Sequence, residues 1–64
     1  MIKLTRINNK EFYLNPHLIE KVEETPDTVI TMQSQIQYIV KESIEEINKK
    51  IIDYRNKLSI QKQE

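Results

Sequence analysis

Glycine and cysteine are both absent from this chain of 64 residues, and each absence excludes a class of function. Without cysteine there are no disulfides or thiolate metal sites, and the only histidine, His17, cannot form a zinc site alone. Without glycine, the Gly-rich loops that bind phosphate groups are excluded, and turns that need a positive φ must use Asn, Asp or Ser. A domain this small therefore depends on good packing or self-association for its stability.

An excess of charge and a long hydrophobic run are also missing. The chain has ten acidic and ten basic residues, and its formal net charge is zero. Proteins that bind nucleic acid mainly through phosphates usually carry a basic excess, so nucleic acid is not an expected partner. No apolar run approaches the roughly 20 residues that span a bilayer, and charges interrupt the signal-peptide pattern in residues 1–6. We therefore expect a cytoplasmic protein without direct membrane insertion.

Apolar and polar residues alternate near the start of the chain, and this period of two predicts β-strands. A hairpin is expected from residues 2–7 and 10–14, with Asn8-Asn9 at its turn because Asn tolerates left-handed conformations. Asn15 and Pro16 are expected to begin a single helical turn, with Asn15 as its cap.

Three further strands are predicted at 19–24, 29–32 and 36–40. The pattern of the first does not decide cleanly between helix and strand. A strand is favoured because Thr25-Pro26-Asp27-Thr28 then makes a turn with Pro26 at its second position. The polar segment Gln33-Ser34-Gln35 makes the next break. Sequential antiparallel pairing is the simplest way to connect about five such strands.

The last third of the chain is predicted to be an amphipathic helix over 42–60, followed by a frayed tail at 61–64. Ser43 and Glu46 form a capping box at its start. Its apolar stripe, at intervals of three and four, is Ile44, Ile47, Ile51, Tyr54 and Leu58. Two i,i+4 ion pairs are expected, Glu45 with Lys49 and Glu46 with Lys50. The later basic residues, which the helix macrodipole favours on a solvated face, are Lys49, Lys50, Arg55 and Lys57.

These elements predict one small domain, residues 1–64, of the α+β class. Residues 1–41 form a small antiparallel β-meander of about five strands, and one C-terminal amphipathic α-helix completes the fold. The candidate core is Ile2, Leu4, Phe12, Leu14, Ile19, Val22, Val29, Met32, Ile36, Tyr38, Val40, Ile44, Ile47 and Ile51.

No group of residues points to chemistry. Glu20, Glu23 and Glu24 are close in sequence, but on a strand Glu23 would point away from the other two, which does not suit a metal site. Asp27 is explained by its turn, where the carboxylate can accept hydrogen bonds from nearby backbone amides. His17 has no nucleophile arranged around it. We therefore expect no enzyme activity, and no catalytic, cofactor-binding or metal-binding residue.

The apolar stripe of the helix has two alternative uses. It can pack on the sheet, which is favoured at least through Ile51, or it can form a helix–helix seam, because the spacing is heptad-like. Ile52 and Ile60 lie off that stripe, and exposed apolar residues of this kind indicate a protein contact. A homo-oligomer is therefore a hypothesis, and Ile52, Tyr54 and Leu58 are its candidate interface.

An ordered set of short segments makes the chain similar to the small flagellar FlbD proteins, also called SwrD after their role in swarming. The resemblance runs from Met1 to about Ile52, and no single segment is diagnostic alone. The segments are Met1-Ile2-Lys3-Leu4-Thr5-Arg6, Asn15-Pro16, Leu18-Ile19-Glu20, Thr25-Pro26-Asp27-Thr28, Tyr38-Ile39-Val40 and Lys41-Glu42-Ser43. FlbD-like sequences usually have glycine where Asn9 stands and near the second break, so Ser34 or Gln35 must accept a strained conformation here.

The resemblance implies a non-enzymatic motility factor that is needed for full motor power in swarming. The implied partners are the flagellar motor and its torque-generating stator units, and the implied location is the cytoplasm, peripheral to the motor. Asn15, Pro16, Pro26 and Asp27 match the family pattern best and are the candidate partner-contact residues. The alternative is that these four residues only shape turns.

A rival hypothesis comes from Leu4-Thr5-Arg6, which is similar to the opening of the small carbon-storage regulators, RNA-binding β-dimers. The similarity ends after a few residues, and this chain lacks their glycines and their later basic residues. The alternative function is accordingly a small RNA- or DNA-binding regulatory β-domain that acts on motility gene expression.

Overall fold

The computed structural model describes the backbone of residues 1–63 and the side chains of residues 1–57. Its elements are β1 (Ile2–Thr5), β2 (Glu11–Leu14), a 3₁₀-helix (Pro16–Leu18), β3 (Ile19–Glu24), β4 (Thr28–Met32), β5 (Gln37–Val40) and α1 (Ile44–Gln63). The α+β class, with five strands and one C-terminal helix, is confirmed. The helix was predicted over 42–60 and is found over Ile44–Gln63, so its backbone continues into the predicted tail at 61–64, of which Glu64 lies outside the described residues.

The strands form two antiparallel sheets rather than one continuous meander. One sheet has the order β1-β2 and the other β3-β4-β5. No pairing joins β2 to β3 within the described residues, because the 3₁₀-helix turns the chain between them. Instead, the end of β1 meets the end of β5: Arg6 and Val40 form an antiparallel bridge, and the Lys41 amide donates to the Thr5 carbonyl at 2.9 Å.

Two turns use a non-glycine residue with a positive φ. Asn9 has φ 71° between β1 and β2, and Gln35 has φ 75° between β4 and β5. The left-handed turn predicted at Asn8-Asn9 is confirmed, and Gln35 rather than Ser34 accepts the strained conformation in the second turn. The predicted turn between β3 and β4 is also present, and its Thr25–Pro26 peptide bond is cis.

The core draws on both sheets and on the helix. Its buried apolar residues are Ile2, Leu4, Leu14, Ile30, Met32, Val40 and Ile47. Half-buried residues that pack against them are Phe12, Ile19, Val22, Tyr38, Ile51 and Tyr54. Most of the predicted core is therefore confirmed, and it includes a residue from every strand and from the helix.

Three core predictions were wrong, and one core residue was missed. Ile30 is 0% exposed, whereas Val29 is only half-buried because successive residues of a strand point to opposite faces. Ile36 precedes β5 in the turn and is 54% exposed. Ile44, at the first turn of the helix, is 40% exposed.

The helix begins at the predicted cap. The Glu46 amide donates to Ser43 Oγ at 3.1 Å, and Ser43 Oγ lies 3.3 Å from the Glu46 carboxylate. A second carboxylate, that of Glu24, accepts from the Ile44 amide at 2.8 Å. Ile47, Ile51 and Tyr54 then face the core, and the helix packs on β1 and β3, so this stripe is used for packing on the sheets.

The predicted ion pairs along the helix are not formed among the described side chains. The ion pairs present there are Lys3–Glu11 at 3.5 Å and Lys21–Glu23 at 3.6 Å. Because the Glu46 carboxylate turns back to Ser43, it does not reach Lys50, its predicted partner one turn later. The helix cap and the predicted ion pair both require the Glu46 carboxylate, and in the structure this carboxylate takes part in the cap.

The Thr5–Glu42 contact connects the first hairpin to the segment that enters the helix. Both carboxylate oxygens of Glu42 accept from Thr5 at 2.9 Å, one from the amide and one from the hydroxyl. Burial raises the pKa of Glu42, but these hydrogen bonds, together with the charge of Lys50, outweigh it and hold that pKa below the ordinary value. The contact is therefore strongest with Glu42 ionised.

We expect Glu42→Gln to lower the free energy of unfolding by about 1–2 kcal/mol at about pH 7, because an amide has one acceptor oxygen for two Thr5 donors. Glu42 is more acidic when folded than when unfolded, so its contribution is present above about pH 4.5 and is lost as the pH falls below that. Urea unfolding from about pH 7 to about pH 3 should show a shallower acid loss in the variant. Glu45→Gln, at an exposed helix position, is the control, and equal acid slopes for Glu42→Gln and the parent chain would contradict the assignment.

We expect Gln35→Gly to raise the free energy of unfolding by about 0.5–1 kcal/mol, because glycine adopts a positive φ without the steric cost that Gln35 carries. Ser34→Gly, in the same exposed turn but at an ordinary φ, should instead be neutral or destabilising. Thermal and urea unfolding of both variants measures the difference. Stabilisation by Ser34→Gly and not by Gln35→Gly would overturn this explanation.

Candidate functional site

The four candidate contact residues lie at two separate places. Asn15 and Pro16 open the 3₁₀-helix before β3, and Pro26 and Asp27 form the turn after it. Six residues of extended strand separate the two pairs, a length of about 20 Å. The structure therefore brings Pro26 together with Asp27, but it does not join them with Asn15 and Pro16 in one surface.

Asn15 has a structural role that its environment explains. Its side-chain oxygen accepts from the His17 amide at 3.0 Å, and its carbonyl accepts from the Leu18 amide at 3.1 Å. Pro16 follows at the first helical position, where its missing N–H costs nothing. Both residues are half-buried, so turn formation accounts for the pattern at this end of β3.

Pro26 and Asp27 line an open cleft of about 490 Å³, which we call the acidic cleft. The cleft lies between the β3–β4 turn, the β1–β2 turn and the start of the helix. Its lining residues are Ile7, Glu24, Pro26, Asp27, Thr28, Val40, Lys41, Ser43 and Glu46. Three carboxylates therefore face one lysine, and Ile7, which is 59% exposed, adds an apolar wall.

The carboxylates of the acidic cleft differ in what they already bind. Glu24 accepts from the Ile44 amide, and Glu46 is engaged with Ser43 in the helix cap. Lys41 hydrogen-bonds the Asn9 side chain. Among the described side chains, Asp27 has neither a hydrogen bond nor an ion pair, so the predicted bonding of its carboxylate within the turn was wrong. Its charge stands at the rim of the cleft, exposed to solvent.

Two of the candidate oligomer residues, Ile52 and Tyr54, lie on different faces of the helix. Ile52 is 49% exposed and points away from the core. Tyr54, two positions on and about 200° around the helix, packs on the core, and its ring meets His17 edge-on at 5.8 Å between centroids. The side chains of Leu58 and Ile60 lie outside the described residues. A self-association surface on the helix stays a prediction.

Two features of the surface were not predicted because they depend on tertiary structure. The Arg6 guanidinium lies 4.6 Å from the Phe12 ring centroid and 5.2 Å from that of Tyr38, so it covers the aromatic contact where the two sheets meet. A second groove, of about 230 Å³, runs between β1 and the helix. It is lined by Met1, Ile2, Lys3, Lys50, Asp53, Tyr54 and Lys57.

The described part of the chain brings together no group of three His, Cys, Asp or Glu residues that could hold a metal ion. Within the same residues, the helix is not apolar enough over a sufficient length to cross a membrane. The charged residues are mostly carboxylates in one open groove and mostly lysines in the other, so both grooves are suited to contact with another molecule through charge and shape.

Comparison with known proteins gives one informative match. Residues 1–59 match the family model described as "FlbD: Flagellar and Swarming motility proteins". No curated protein matches the chain significantly, and no solved structure does. Because the match covers most of the chain, the protein belongs to the FlbD family of flagellar and swarming motility proteins.

Proposed function

We propose that this FlbD protein supports swarming by raising motor power through contact with a protein of the flagellar motor or its stator, without catalysing a reaction. It acts in the cytoplasm, peripheral to the motor. Family membership supports the role in motility. The observation that carries the contact is Asp27, a charged residue at the rim of an open cleft with no hydrogen bond or ion pair among the described side chains.

The acidic cleft offers a partner both charge and apolar surface. Ile7 and Pro26 are exposed, and each lies on a turn, where a side chain can reach a partner without disturbing the sheets. Glu24 and Glu46, which also line the cleft, take part in the hydrogen bonds that cap the helix start. An exposed carboxylate beside apolar side chains suits a partner segment with a basic residue next to an apolar one.

Deletion of the chain from its source bacterium should leave the number of flagellar filaments unchanged while reducing swarming and swimming speed, and complementation should restore both. Filament counting and single-cell speed measurement separate motor output from assembly. Loss of filaments would contradict action at the motor and favour a regulator of motility genes that binds RNA or DNA. Unchanged motility would contradict the proposal as a whole.

Asp27→Ala, expressed in the deletion strain, should give a folded protein that restores little or no swarming. No described side chain bonds Asp27, so its free energy of unfolding should change by no more than about 0.5 kcal/mol. Urea unfolding and swarm expansion are measured on the same variant.

Glu45→Ala is the matched control, since it removes one exposed carboxylate from the first turn of the helix, away from the cleft lining. It should swarm like the parent chain. Should Asp27→Ala swarm normally, or lose swarming only because it unfolds, Asp27 serves the turn and the contact lies elsewhere.

A further inference from the structure

The groove between β1 and the helix concentrates positive charge on a concave surface. Lys50, Asp53, Tyr54 and Lys57 are spaced i, i+3, i+4 and i+7, so they lie along one face of the helix. Lys3 faces them from β1. The groove, which we call the basic groove, therefore holds three lysines and one aspartate in a chain whose net charge is zero.

These lysines are only partly neutralised by the fold, since the charge of Lys50 also acts on the Glu42 carboxylate from beyond ion-pair distance. Within residues 1–57, neither Lys50 nor Lys57 has a carboxylate within ion-pair distance, and Lys3 pairs only with Glu11 at 3.5 Å, where both side chains are solvated. The helix cap explains why Lys50 lacks its expected ion pair, because the Glu46 carboxylate is hydrogen-bonded to Ser43 instead. Asp53 lies in the groove but within the same residues pairs with none of these lysines. Like charges gathered in this way are stabilised by an anion that enters between them.

The groove also has apolar walls. The Tyr54 ring is half-buried, Ile2 belongs to the core, and the Met1 side chain is exposed at the rim. An aliphatic side chain can lie against these atoms while a neighbouring carboxylate reaches Lys50 or Lys57. A small inorganic anion would leave this apolar surface uncovered.

We propose that the basic groove binds an acidic protein segment in which Glu or Asp residues lie beside an apolar residue. The site is distinct from the acidic cleft, and the proposal stands whether or not Asp27 contacts the motor. A nucleic acid fits less well, because an extended polyanion would meet Glu11, which pairs with Lys3, and the chain has no basic excess to attract it. A membrane fits less well because Asp53 stands among the three lysines and would be repelled by anionic lipid headgroups.

The test uses the full chain and a fluorescein-labelled short peptide of alternating Glu and Leu. Polarisation should show saturable binding that weakens as salt is raised, and the corresponding Lys/Leu peptide should not bind. Lys57→Glu should weaken binding about tenfold, because it replaces an attraction with a repulsion at a solvated position. Lys3→Gln, which only removes a charge, should weaken it by about threefold.

Lys49→Glu is the matched control: it makes the same change in net charge one residue before Lys50, at an exposed position outside the groove lining. It should change binding by less than about twofold. Circular dichroism melting shows whether each variant is folded. If Lys57→Glu does not fold, the effect of Lys3→Gln on peptide binding tests the proposal. Absence of binding, or equal weakening by Lys49→Glu and Lys57→Glu, would overturn the proposal. Tighter binding to phosphatidylglycerol vesicles or to mixed-sequence DNA than to the peptide would overturn it as well.

Discussion

The structure depends on the join between the end of β1 and the segment that leaves β5. Each sheet is small, and a two-stranded hairpin has little stability alone in water. The Arg6–Val40 bridge, the Lys41 amide and the two hydrogen bonds from Thr5 to Glu42 connect the hairpin to the larger sheet and to the helix entry. Since all of these contacts fall within a few residues of each strand end, they let one core include both sheets.

The acidic residues divide into those that hold the fold and those that do not. At the helix start, the Glu24 carboxylate accepts from the Ile44 amide and the Glu46 carboxylate accepts from the Ser43 hydroxyl. The Glu42 carboxylate accepts from the amide and the hydroxyl of Thr5. A short domain without glycine or disulfides has few other ways to fix chain entry into a helix, so carboxylates do this work. Asp27 makes no comparable bond among the described side chains, and for that reason its charge is available to a partner.

Short sequence patterns were sufficient to predict the strands and the turns of this fold, because these depend mainly on neighbouring residues. Alternation located β1, β2 and β5, the expected turn at Pro26 located β3, and the preference of Asn for left-handed turns located Asn9. Val29 was preferred to Ile30 although the two apolar residues are adjacent, so the sequence does not show which of them faces the core. Only the pairing of Ile30 with Val22 and Tyr38 shows which face is inside. The β1–β5 join was not predictable for a related reason: it pairs residues far apart in sequence.

The candidate site was predicted only in part. Pro26 and Asp27 stand out in sequence, but the cleft around them is built from three segments that only tertiary structure brings together. The basic groove was concealed by the expected Glu46–Lys50 pair, which would have neutralised Lys50. Glu46 was predicted both to cap the helix with Ser43 and to pair with Lys50, and the sequence alone did not show which interaction would form.

The separation of the acidic cleft from the basic groove has a kinetic consequence. One lies at the start of the helix and the other about two to three turns further along it, so a chain of zero net charge carries opposite charges at two distinct places. Such a molecule has a dipole moment, and a charged partner exerts a torque on it before the surfaces touch. Approach would then be orientated rather than random, which speeds productive encounter and makes its rate depend on ionic strength.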